Sequence, residues 1–501
     1  MDALGQLMTK DWPGRTRSME DLRALLEAEV HAPAVYPYPA TRWGGFADRR
    51  LTEGTGWFSS VKKDGRWYLC DPEGCAFYSM GPDGVILRKD DRVDGLEALL
   101  TWLPEEGAPG WEDMETEARP FGETPRSAPR LFSYSRANLR RVFGDGWEAA
   151  WRRMVVSQLQ RHGMNTIANW SDPGVLGSMP YVWMLPEFPR TEHMIFRDFP
   201  DVFAPEYERN AEAAARPLAA HAEDPMMIGY FLRNEPGWAF VDGLIIADEV
   251  LRDPVCSHSK RALIDALREQ YGTVAALNAA WGTAFADFDA LTAPIEKASA
   301  LSDAAREDLK AFSRGMLRRY IELPARACRR IAPHHLMLGM RWAWISDPDL
   351  ITGWELCDVF SINCYAVDPT AMLEQVRTLG VDRPVMIGEF HFGATDAGLT
   401  ATGLEAVTCQ EERGAAYRYY VEHAAAHPLS VGCHYFQCYD QFVLGRFDGE
   451  NYNIGLFDVC LRPYEEMLSA VRAAACRAAL LHAGEAQPTD RKPDSVPMIA
   501  Y

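Results

Sequence analysis

The chain has 501 residues, an apolar share of 48% and a formal net charge of −20. This length suits one large α/β barrel with insertions, or two to three ordinary domains, and the apolar share is typical of a globular protein with a substantial core. The strongly negative charge argues against a nucleic-acid partner or an anionic membrane surface, and indicates a solubilising, diffusely acidic exterior.

Cysteine usage and the N-terminal segment predict the compartment. The 11 cysteines are scattered, without CxxC pairs or zinc-ligand spacing, which indicates free thiols in a reducing environment. Residues 1–10 lack the apolar stretch of a signal peptide, and no segment of the sequence approaches the length of a membrane span. We therefore expect a cytoplasmic protein without a membrane partner. The sequence leaves the oligomeric state open, a homo-oligomer included.

The N-terminal part predicts one helix followed by a β-hairpin. Residues 1–55 are typical of a polar leader, with a helix from Met19 to Val30. The dipeptide Asp64-Gly65 separates two strand-like runs and is a hairpin signal. A third run, Cys75–Met80, is predicted to be the first strand of a barrel. Residues 86–146 carry charges, Pro and Gly, and are predicted to be an insertion after that strand.

Downstream, short apolar runs alternate with helical patterns, as a (β/α)₈ TIM barrel requires. The runs predicted as strands two to eight lie within His162–Trp170, Tyr181–Leu185, Met226–Leu232, Leu336–Trp342, Asp358–Tyr365, Val385–Ile387 and Ser430–Gln437. The barrel is expected over residues 56–475, with 476–501 as a loose C-terminal tail. A doubly wound open sheet is the alternative fold, but no Gly-rich phosphate fingerprint follows the first strand.

Two glutamates end two of these strands. Glu235 follows strand four within Arg233-Asn234-Glu235-Pro236, and Glu389 follows strand seven. Because catalytic groups of parallel barrels lie at the carboxyl ends of the strands, the two carboxylates are expected to face each other across one site. A structural salt-bridge network is the alternative. Carboxylates about 5 Å apart suit double displacement at the anomeric carbon of a sugar, and about 6.5–9.5 Å suits inversion through a water.

Such a pair has complementary roles. One carboxylate attacks the anomeric carbon, and the other protonates the leaving oxygen and later deprotonates water. The ionised nucleophile raises the pKa of its neighbour and keeps it protonated. Asn234 is placed to donate to the 2-hydroxyl of the sugar. Since side chains fill both acid–base roles, we expect no cofactor and no metal, and an oligosaccharide or polysaccharide as substrate.

Other strand-end residues are candidates for sugar binding. Asn169, Trp170 and Trp342 stand at or just past strand ends, where an aromatic ring can stack on a sugar, with packing among loops as the alternative. His391 follows Glu389 by two residues and therefore points to the same side of the strand. It is expected to bind a hydroxyl or to orient Glu389.

Several motifs resemble one family of barrel glycosidases. The segments Ile387–Gly393 and Gly445–Gly455 closely resemble glycoside hydrolase family 50, the β-agarase family, and weaker resemblance extends from about residue 42 to 470. The resemblance implies Glu235 as acid/base, Glu389 as nucleophile and Tyr365 as a hydrogen-bond donor to the nucleophile. It also implies a sugar-binding rim that contains His391, Gln437, Asp440, Arg446, Asp448, Glu450 and Asn451.

Three functions remain as alternatives. The first is a retaining β-glycosidase, exo-acting and β-galactosidase-like, for β-linked galactose-type oligosaccharides, since Leu277–Gly282 is similar to a segment of barrel β-galactosidases. The second is a β-agarase that cleaves β-1,4 linkages of agarose or neoagaro-oligosaccharides. The third is a catalytically inactive sugar-binding barrel, against which the presence of both glutamates argues.

Overall fold

The computed structural model describes residues 1–117 and 130–499. The helices of this part are α1 (Met19–His31), α2 (Tyr134–Phe143), α3 (Trp147–Arg161), α4 (Pro205–Ala215), α5 (Ile246–Arg252), α6 (His258–Tyr271), α7 (Val274–Trp281), α8 (Asp303–Ile331), α9 (Thr370–Thr378), α10 (Gln410–Ala426) and α11 (Glu465–His482). The strands are β1 (Ser59–Lys63), β2 (Arg66–Cys70), β3 (Ala76–Phe77), β4 (Ser79–Pro82), β5 (Asp91–Arg92), β6 (Thr116–Glu117), β7 (Arg130–Phe132), β8 (Tyr181–Met184), β9 (Met194–Phe196), β10 (Phe199–Pro200), β11 (Met227–Phe231), β12 (Leu336–Met337), β13 (Phe360–Asn363), β14 (Val385–Glu389), β15 (Ala406–Val407), β16 (Ser430–Tyr435) and β17 (Ser495–Val496).

The N-terminal hairpin forms where its turn residues predict it. Strands β1 and β2 pair antiparallel around Asp64 and Gly65, both of which have positive φ, as a tight hairpin turn requires. The predicted third strand is divided. Its first part, β3, pairs antiparallel with β2, whereas β4 pairs parallel with β16. One sequence run therefore serves both the hairpin sheet and the main fold.

The main fold is a mixed α/β arrangement of two parallel ladders. One ladder has the order β12-β11-β8, and the other has the order β13-β14-β16-β4. Short runs of backbone contacts join the ladders. On one side they include the bridge Trp342–Ile362 and the bond from the Val359 amide to the Met337 carbonyl at 3.1 Å. On the other side lies the segment 166–168, where the Thr166 amide donates to the Met80 carbonyl at 3.0 Å. This arrangement is consistent with a TIM barrel, although the ladders do not form one continuous closed sheet.

A buried cluster of apolar side chains lies between the ladders. Each of the eight predicted strands contributes at least one residue, so the segments surround a common interior, as barrel strands do. The members used for this comparison are Phe77, Ala168, Val182, Ile228, Leu338, Val359, Met386 and Val431.

Strands two and five are shorter than predicted. Segment 166–168 forms only an isolated bridge to Tyr181, and β12 contains only Leu336 and Met337. Beyond β12 the backbone turns into positive φ at Gly339 and Arg341, which interrupts a regular ladder. The apolar pattern of the fifth strand thus continues after its regular hydrogen bonding has ended.

The C-terminal segment differs from the loose tail predicted for residues 476–501. Helix α11 continues to His482, and β17 pairs antiparallel with β15. Arg491 also forms an ion pair with Glu412 of α10 at 2.6 Å. The predicted insertion at 86–146 contains β5, β6, β7 and α2, and its residues 118–129 lie outside the described part. Within the described residues, no helix combines the length and apolar character needed to cross a membrane.

Candidate active site

The two predicted catalytic glutamates lie at the ends of β11 and β14. Glu389 is the last residue of β14 and is 6% exposed. Glu235 follows β11 by four residues, is half-buried, and has a φ of 41°, a left-handed conformation that costs a non-glycine residue about 1 kcal/mol or more. Such strain is retained where the surrounding structure fixes a side chain for function.

A single amide group joins the two carboxylates. Nδ2 of Asn363 donates to Oε1 of Glu235 at 2.7 Å and to Oε1 of Glu389 at 2.9 Å. Because both oxygens are bonded to one nitrogen atom, they are separated by at most about 5.6 Å. This maximum is compatible with the separation of about 5–5.5 Å that double displacement uses and lies below the range of about 6.5–9.5 Å for inversion.

Glu389 is held by three donors. Its Oε1 accepts from Nη2 of Arg341 at 2.8 Å as well as from Asn363, and its Oε2 accepts from the hydroxyl of Tyr365. These three donors fix the orientation of the Glu389 side chain and pair it with a guanidinium group. The contact of Tyr365 with Glu389 is the one that the sequence resemblance implies.

Glu235 has the opposite electrostatic environment. Burial, and then the negative charge of Glu389, raise the pKa of Glu235 from 4.5 to about 7, against the smaller lowering effects of Asn363 and Arg341. A carboxyl group with this pKa is mostly protonated in mildly acidic solution and about half protonated near pH 7. In mildly acidic solution Glu235 therefore has the proton that a general acid needs.

Arg341 links the site to the interior of the fold. Its side chain is fully buried, and Nη2 donates to the Gly388 carbonyl at 2.7 Å and contacts Oδ2 of Asp83 at 3.3 Å. Burial raises the pKa of Asp83 to about 7, although the charge of Arg341 acts against this shift. The guanidinium also lies 4.7 Å from the centre of the Trp170 ring.

Sequence reasoning did not single out Arg341, Asn363 or Asp83 as site residues. The criterion that identified the glutamates also applies to these three residues. Each is a polar residue at or just after the carboxyl end of a predicted strand. A rule applied to all eight strand ends, rather than to the carboxylates alone, would have included these three.

The other candidates near the glutamates divide into accessible and buried groups. Asn234 accepts from Asn363 at 3.1 Å, and Trp170 is half-buried beside Arg341. Asn169 is 1% exposed, and neither atom of its side-chain amide has a hydrogen-bond partner among the described residues. Trp342 corrects a prediction, because its ring is 2% exposed and packs perpendicular to Trp238 at 5.8 Å instead of forming an open stacking surface.

His391 lies beside Tyr365, with ring centres 4.8 Å apart. Its Nε2 accepts from the Leu404 amide at 2.9 Å, and burial lowers the pKa of His391 to about 3. The ring is therefore neutral and supports the tyrosine that donates to Glu389.

Two of the predicted rim residues, Asp440 and Gln437, form hydrogen bonds within the loop after β16. Asp440 accepts from Asn453, from the hydroxyl of Tyr464 at 2.6 Å and from the Gly455 amide at 2.7 Å, so its oxygens hold the loop. Gln437 donates to the Tyr439 carbonyl at 2.9 Å. The contacts of these two residues with a sugar stay predictions.

Three further rim residues, Arg446, Asp448 and Glu450, form an ion-paired group that we call the rim cluster. Arg446 pairs with Asp448 at 2.9 Å and with Glu450 at 2.5 Å. Burial raises the pKa of Glu450, and the charges of Asp448 and Glu389 add to this shift, so the cluster lies within electrostatic range of the nucleophile candidate. Asn451 donates to Thr400 and to a backbone carbonyl, each at 3.2 Å.

An open cleft of about 820 Å³ adjoins the glutamates. It is shared with the site through Asn234 and Trp170, and extends along residues 184–190 towards α4. No group of three or more His, Cys, Asp or Glu side chains in the described part of the chain is arranged to hold a metal ion.

The sequence is similar to a family model and to proteins that are all named as glycosidases. A family model described as "Beta-galactosidase", glycoside hydrolase family 42, matches residues 188–437. Beta-agarase B of Vibrio sp. (strain JT0107) is 29% identical over 519 residues, and Beta-agarase A of the same strain is 29% identical over 524 residues. These matches cover 94% and 95% of the chain but 54% and 51% of the relatives, so the chain spans about half their length.

Solved structures agree with the sequence relatives. An exo-β-agarase has a TM-score of 0.85 at 26% identity, with 96% of this chain and 73% of that chain covered. A second agarase has a TM-score of 0.86 at 26% identity, with coverage of 97% and 73%. Fold and site thus define a chain related to the glycoside hydrolases. Within that class it is a relative of the β-agarases of glycoside hydrolase family 50, as its sequence motifs predicted.

Proposed function

We propose that the protein is a retaining β-glycosidase that cleaves the β-1,4 linkages of agarose or neoagaro-oligosaccharides. The observation that carries this proposal is the amide of Asn363, which bonds both Glu235 and Glu389 and limits the two oxygens to about 5.6 Å. That separation supports double displacement over inversion. The agarases among its relatives favour an agarose-type substrate over a simple β-galactoside.

In the first step, Glu389 attacks the anomeric carbon and forms a glycosyl ester. The bond from that carbon to the glycosidic oxygen breaks, and Glu235 transfers its proton to this oxygen, so the leaving sugar departs as an alcohol. Arg341 and Tyr365 hold Glu389 in line with its target. Asn234 is placed to bind the hydroxyl next to the reacting carbon.

In the second step, Glu235 acts as a base. Its carboxylate takes a proton from a water molecule, whose oxygen attacks the anomeric carbon and releases Glu389 as a carboxylate. The product keeps the β configuration, and both glutamates return to their starting charges. As Glu389 loses its charge in the ester, the pKa of Glu235 falls, because the charge of Glu389 is one cause of its elevation.

A β-galactosidase for short galactose-type oligosaccharides is the second candidate. It is favoured by the match of residues 188–437 to the β-galactosidase family model, since that range contains both glutamates. An inactive sugar-binding barrel is disfavoured, because the donors to Glu389 and the raised pKa of Glu235 are those of a working acid–nucleophile pair. We also infer one (β/α)₈ barrel from the shared interior cluster.

The test is a set of two variants assayed on an aryl β-galactoside and on neoagaro-oligosaccharides. Glu389→Gln should lower kcat by roughly 10⁴-fold or more, because the covalent step is lost. Glu235→Ala should regain turnover of the activated aryl substrate with azide, which attacks the glycosyl ester without a base. Substantial activity in Glu389→Gln would contradict the assignment. Turnover of aryl β-galactoside with none of neoagaro-oligosaccharides would favour the second candidate.

A further inference from the structure

One guanidinium group lies between two buried carboxylates. Nη2 of Arg341 is 2.8 Å from Oε1 of Glu389 and 3.3 Å from Oδ2 of Asp83, and these are the only ion pairs of Arg341 in the part of the chain that the structure describes. Arg341 and Asp83 are fully buried, and Glu389 is nearly so. Because little water screens these groups, the charge of each acts strongly on the other two. Asp83 has no task in the acid–nucleophile chemistry of the two glutamates.

Asp83 is held in position by the backbone of neighbouring segments. It follows β4 directly, and its Oδ1 accepts from the Asn169 amide at 2.8 Å. Its own amide donates to the Tyr435 carbonyl at 2.9 Å, and its carbonyl accepts from the Cys438 amide at 2.9 Å. A carboxylate that is fixed in this way keeps its distance from Arg341 while the groups around it react. Among the described residues its side chain forms no hydrogen bond with either glutamate, so Asp83 acts on them through charge.

The proposed covalent step changes the charges around Arg341. Before attack, one guanidinium group faces two carboxylates. When Glu389 becomes a glycosyl ester it loses its charge, and Asp83 is then the remaining carboxylate partner of Arg341 among the described residues. A buried cation without a counter-charge is strongly unfavourable. The charge of Glu389 is one cause of the raised pKa of Asp83, so the loss of this charge favours the ionised form of Asp83 in the intermediate.

Asp83 therefore affects the two chemical steps unequally. In glycosylation Glu389 gives up its negative charge, and the neighbouring charge of Asp83 favours this loss. In hydrolysis of the ester Glu389 regains its charge, and Asp83 opposes this gain. Without Asp83, the whole charge of Arg341 would act on Glu389 and hold it as the free carboxylate.

We propose that Asp83 is a positioning residue of the glycosidase, which balances the charge of Arg341 so that Glu389 can lose its own charge when it forms the glycosyl ester. This inference rests on the proposed function and deepens it, because it gives a role to a carboxylate outside the acid–nucleophile pair. Asp83 exchanges no proton with the substrate and forms no bond to it. The step that it supports is glycosylation.

The two steps are measured separately with 2,4-dinitrophenyl 2-deoxy-2-fluoro-β-galactoside, or with the corresponding β-neoagarobioside if the wild type acts only on agarose oligosaccharides. Fluorine slows both steps, and dinitrophenolate leaves without a proton from Glu235, so the ester accumulates on Glu389. The rate constant of inactivation reports glycosylation. The rate constant of recovery, after excess reagent is removed, reports hydrolysis of the ester.

Asp83→Asn keeps an oxygen that can accept from the Asn169 amide and removes only the charge. At pH 8, above the pKa of about 7 of Asp83, this variant should lower the rate constant of inactivation about tenfold or more and leave recovery unchanged or faster. The ratio of recovery to inactivation should therefore rise about tenfold or more. A residue that only supports the fold would slow both steps alike and leave this ratio unchanged.

Two further variants test the balance of charge. Asp83→Asn/Arg341→Gln removes both charges together, so it avoids the unpaired buried charge that could prevent Asp83→Asn from folding. Its ratio of recovery to inactivation should return towards that of the wild type, because the net charge beside Glu389 is restored. Arg341→Gln alone leaves an unbalanced Asp83 and should lower the ratio below that of the wild type. Lost orientation of Glu389 slows both steps and does not imitate this order.

Asp201→Asn is the matched control. Asp201 is 2% exposed, accepts from the amides of His258 and Ser259 at 2.7 and 2.9 Å, and forms no ion pair among the described residues. This variant should lose stability and keep the wild-type ratio of the two rate constants. An unchanged ratio in Asp83→Asn, or equal ratios in Arg341→Gln and the double variant, would overturn the role of Asp83 and leave the glycosidase intact. A wild type that hydrolyses neither substrate and forms no adduct on Glu389, as read by peptide mass spectrometry, would overturn the proposed function and the role of Asp83 with it.

Discussion

The two glutamates of the site differ in the number of donors that contact them. Arg341 contacts two carboxylates, Asp83 and Glu389, with one guanidinium group. Glu389 receives the shorter of the two ion pairs, at 2.8 Å against 3.3 Å, and two further donors. Glu235 receives one bond from Asn363. The two glutamates thus have the same side chain in different environments, as the proposed roles of nucleophile and acid require.

The pKa of Glu235 predicts a pH dependence of activity and of stability. Activity towards an aryl β-galactoside should fall as the pH rises above about 7, because Glu235 then loses the proton it must donate. The free energy of unfolding also depends on the protonation of Glu235. With a folded pKa of about 7 and an ordinary value of 4.5, the folded protein binds more protons between these values, so its stability falls as the pH rises through this window.

Glu235→Gln removes this titration while its carbonyl retains the bond from Asn363. The variant should be more stable than the wild type at pH 8, by on the order of 1–3 kcal/mol in urea denaturation, and about equal to it at pH 4. Glu322→Gln, at an exposed position of α8, is the control and should show no such change with pH. A Glu235→Gln protein that is less stable than the wild type at pH 8 would contradict the assigned pKa.

At the scale of the elements, hydrophobic runs predicted most of the fold. Helix α1 begins at the predicted Met19 and ends one residue beyond the predicted Val30, and β14 includes the run that ends in Glu389. Strand β11 lies within the run that precedes Glu235. These elements are regular and are bounded by clear stop signals, so local pattern and tertiary structure agree.

The sequence failed where tertiary contacts override local pattern. The fifth apolar run loses regular strand geometry after Met337, because the backbone adopts positive φ at Gly339 and Arg341. Only Gly339 is a residue type that indicates such a change in the sequence. The ion pairs of Arg446 with Asp448 and Glu450 depend on how one loop folds back on itself. The residue types of this rim were therefore predictable from the family resemblance, but their mutual pairing was not.

The glycine before Glu389 is a packing requirement of β14. A Cβ at Gly388 would lie 2.7 Å from Nε of Arg341 and 2.8 Å from Oδ1 of Asn363, closer than such atoms can approach. Gly388→Ala should therefore displace both partners of Glu389. We expect kcat to fall by about 10²-fold, since displacements of about 1 Å have this effect, with a stability loss of roughly 1–3 kcal/mol.

Gly315→Ala, at an open position of α8, is the matched control. Alanine is a better helix former than glycine, so this variant should gain about 0.5–1 kcal/mol and keep the wild-type kcat. Steady-state kinetics and urea denaturation of the two variants give the comparison. A Gly388→Ala protein with unchanged kcat would show that Arg341 and Asn363 do not depend on this close approach.

At the scale of the whole molecule, the site is open on one side and closed on another. The cleft extends from Asn234 towards α4, whereas β5 and the rim cluster meet on the side of β16 and β4. The long insertion after β4 contributes to this closure through Arg92, so a segment without a long periodic pattern in the sequence shapes the entrance to the site. For the proposed glycosidase, a site closed on one side would admit the end of a chain more readily than the interior of a polymer.

Arg446 is the residue on which this closure depends. Its guanidinium is the shared partner of Asp448 and Glu450, and its side chain is 13% exposed. Arg446→Met leaves two neighbouring carboxylates in mutual repulsion, so the loop should separate from β5 and open the closed side, at a stability cost of roughly 1–3 kcal/mol. Agarose should then be cut internally more often, which lowers its viscosity faster for each reducing end that is formed.

Viscometry together with a reducing-sugar assay measures this ratio directly. Arg446→Lys keeps the charge and should stay close to the wild type, with a smaller loss because lysine cannot bond both carboxylates in the same fork geometry. If the ratio of viscosity loss to reducing ends is the same in Arg446→Met and the wild type, the rim cluster stabilises the loop without directing the substrate. If the ratio rises only in the methionine variant, the ion pairs of this loop set the mode of attack on the chain.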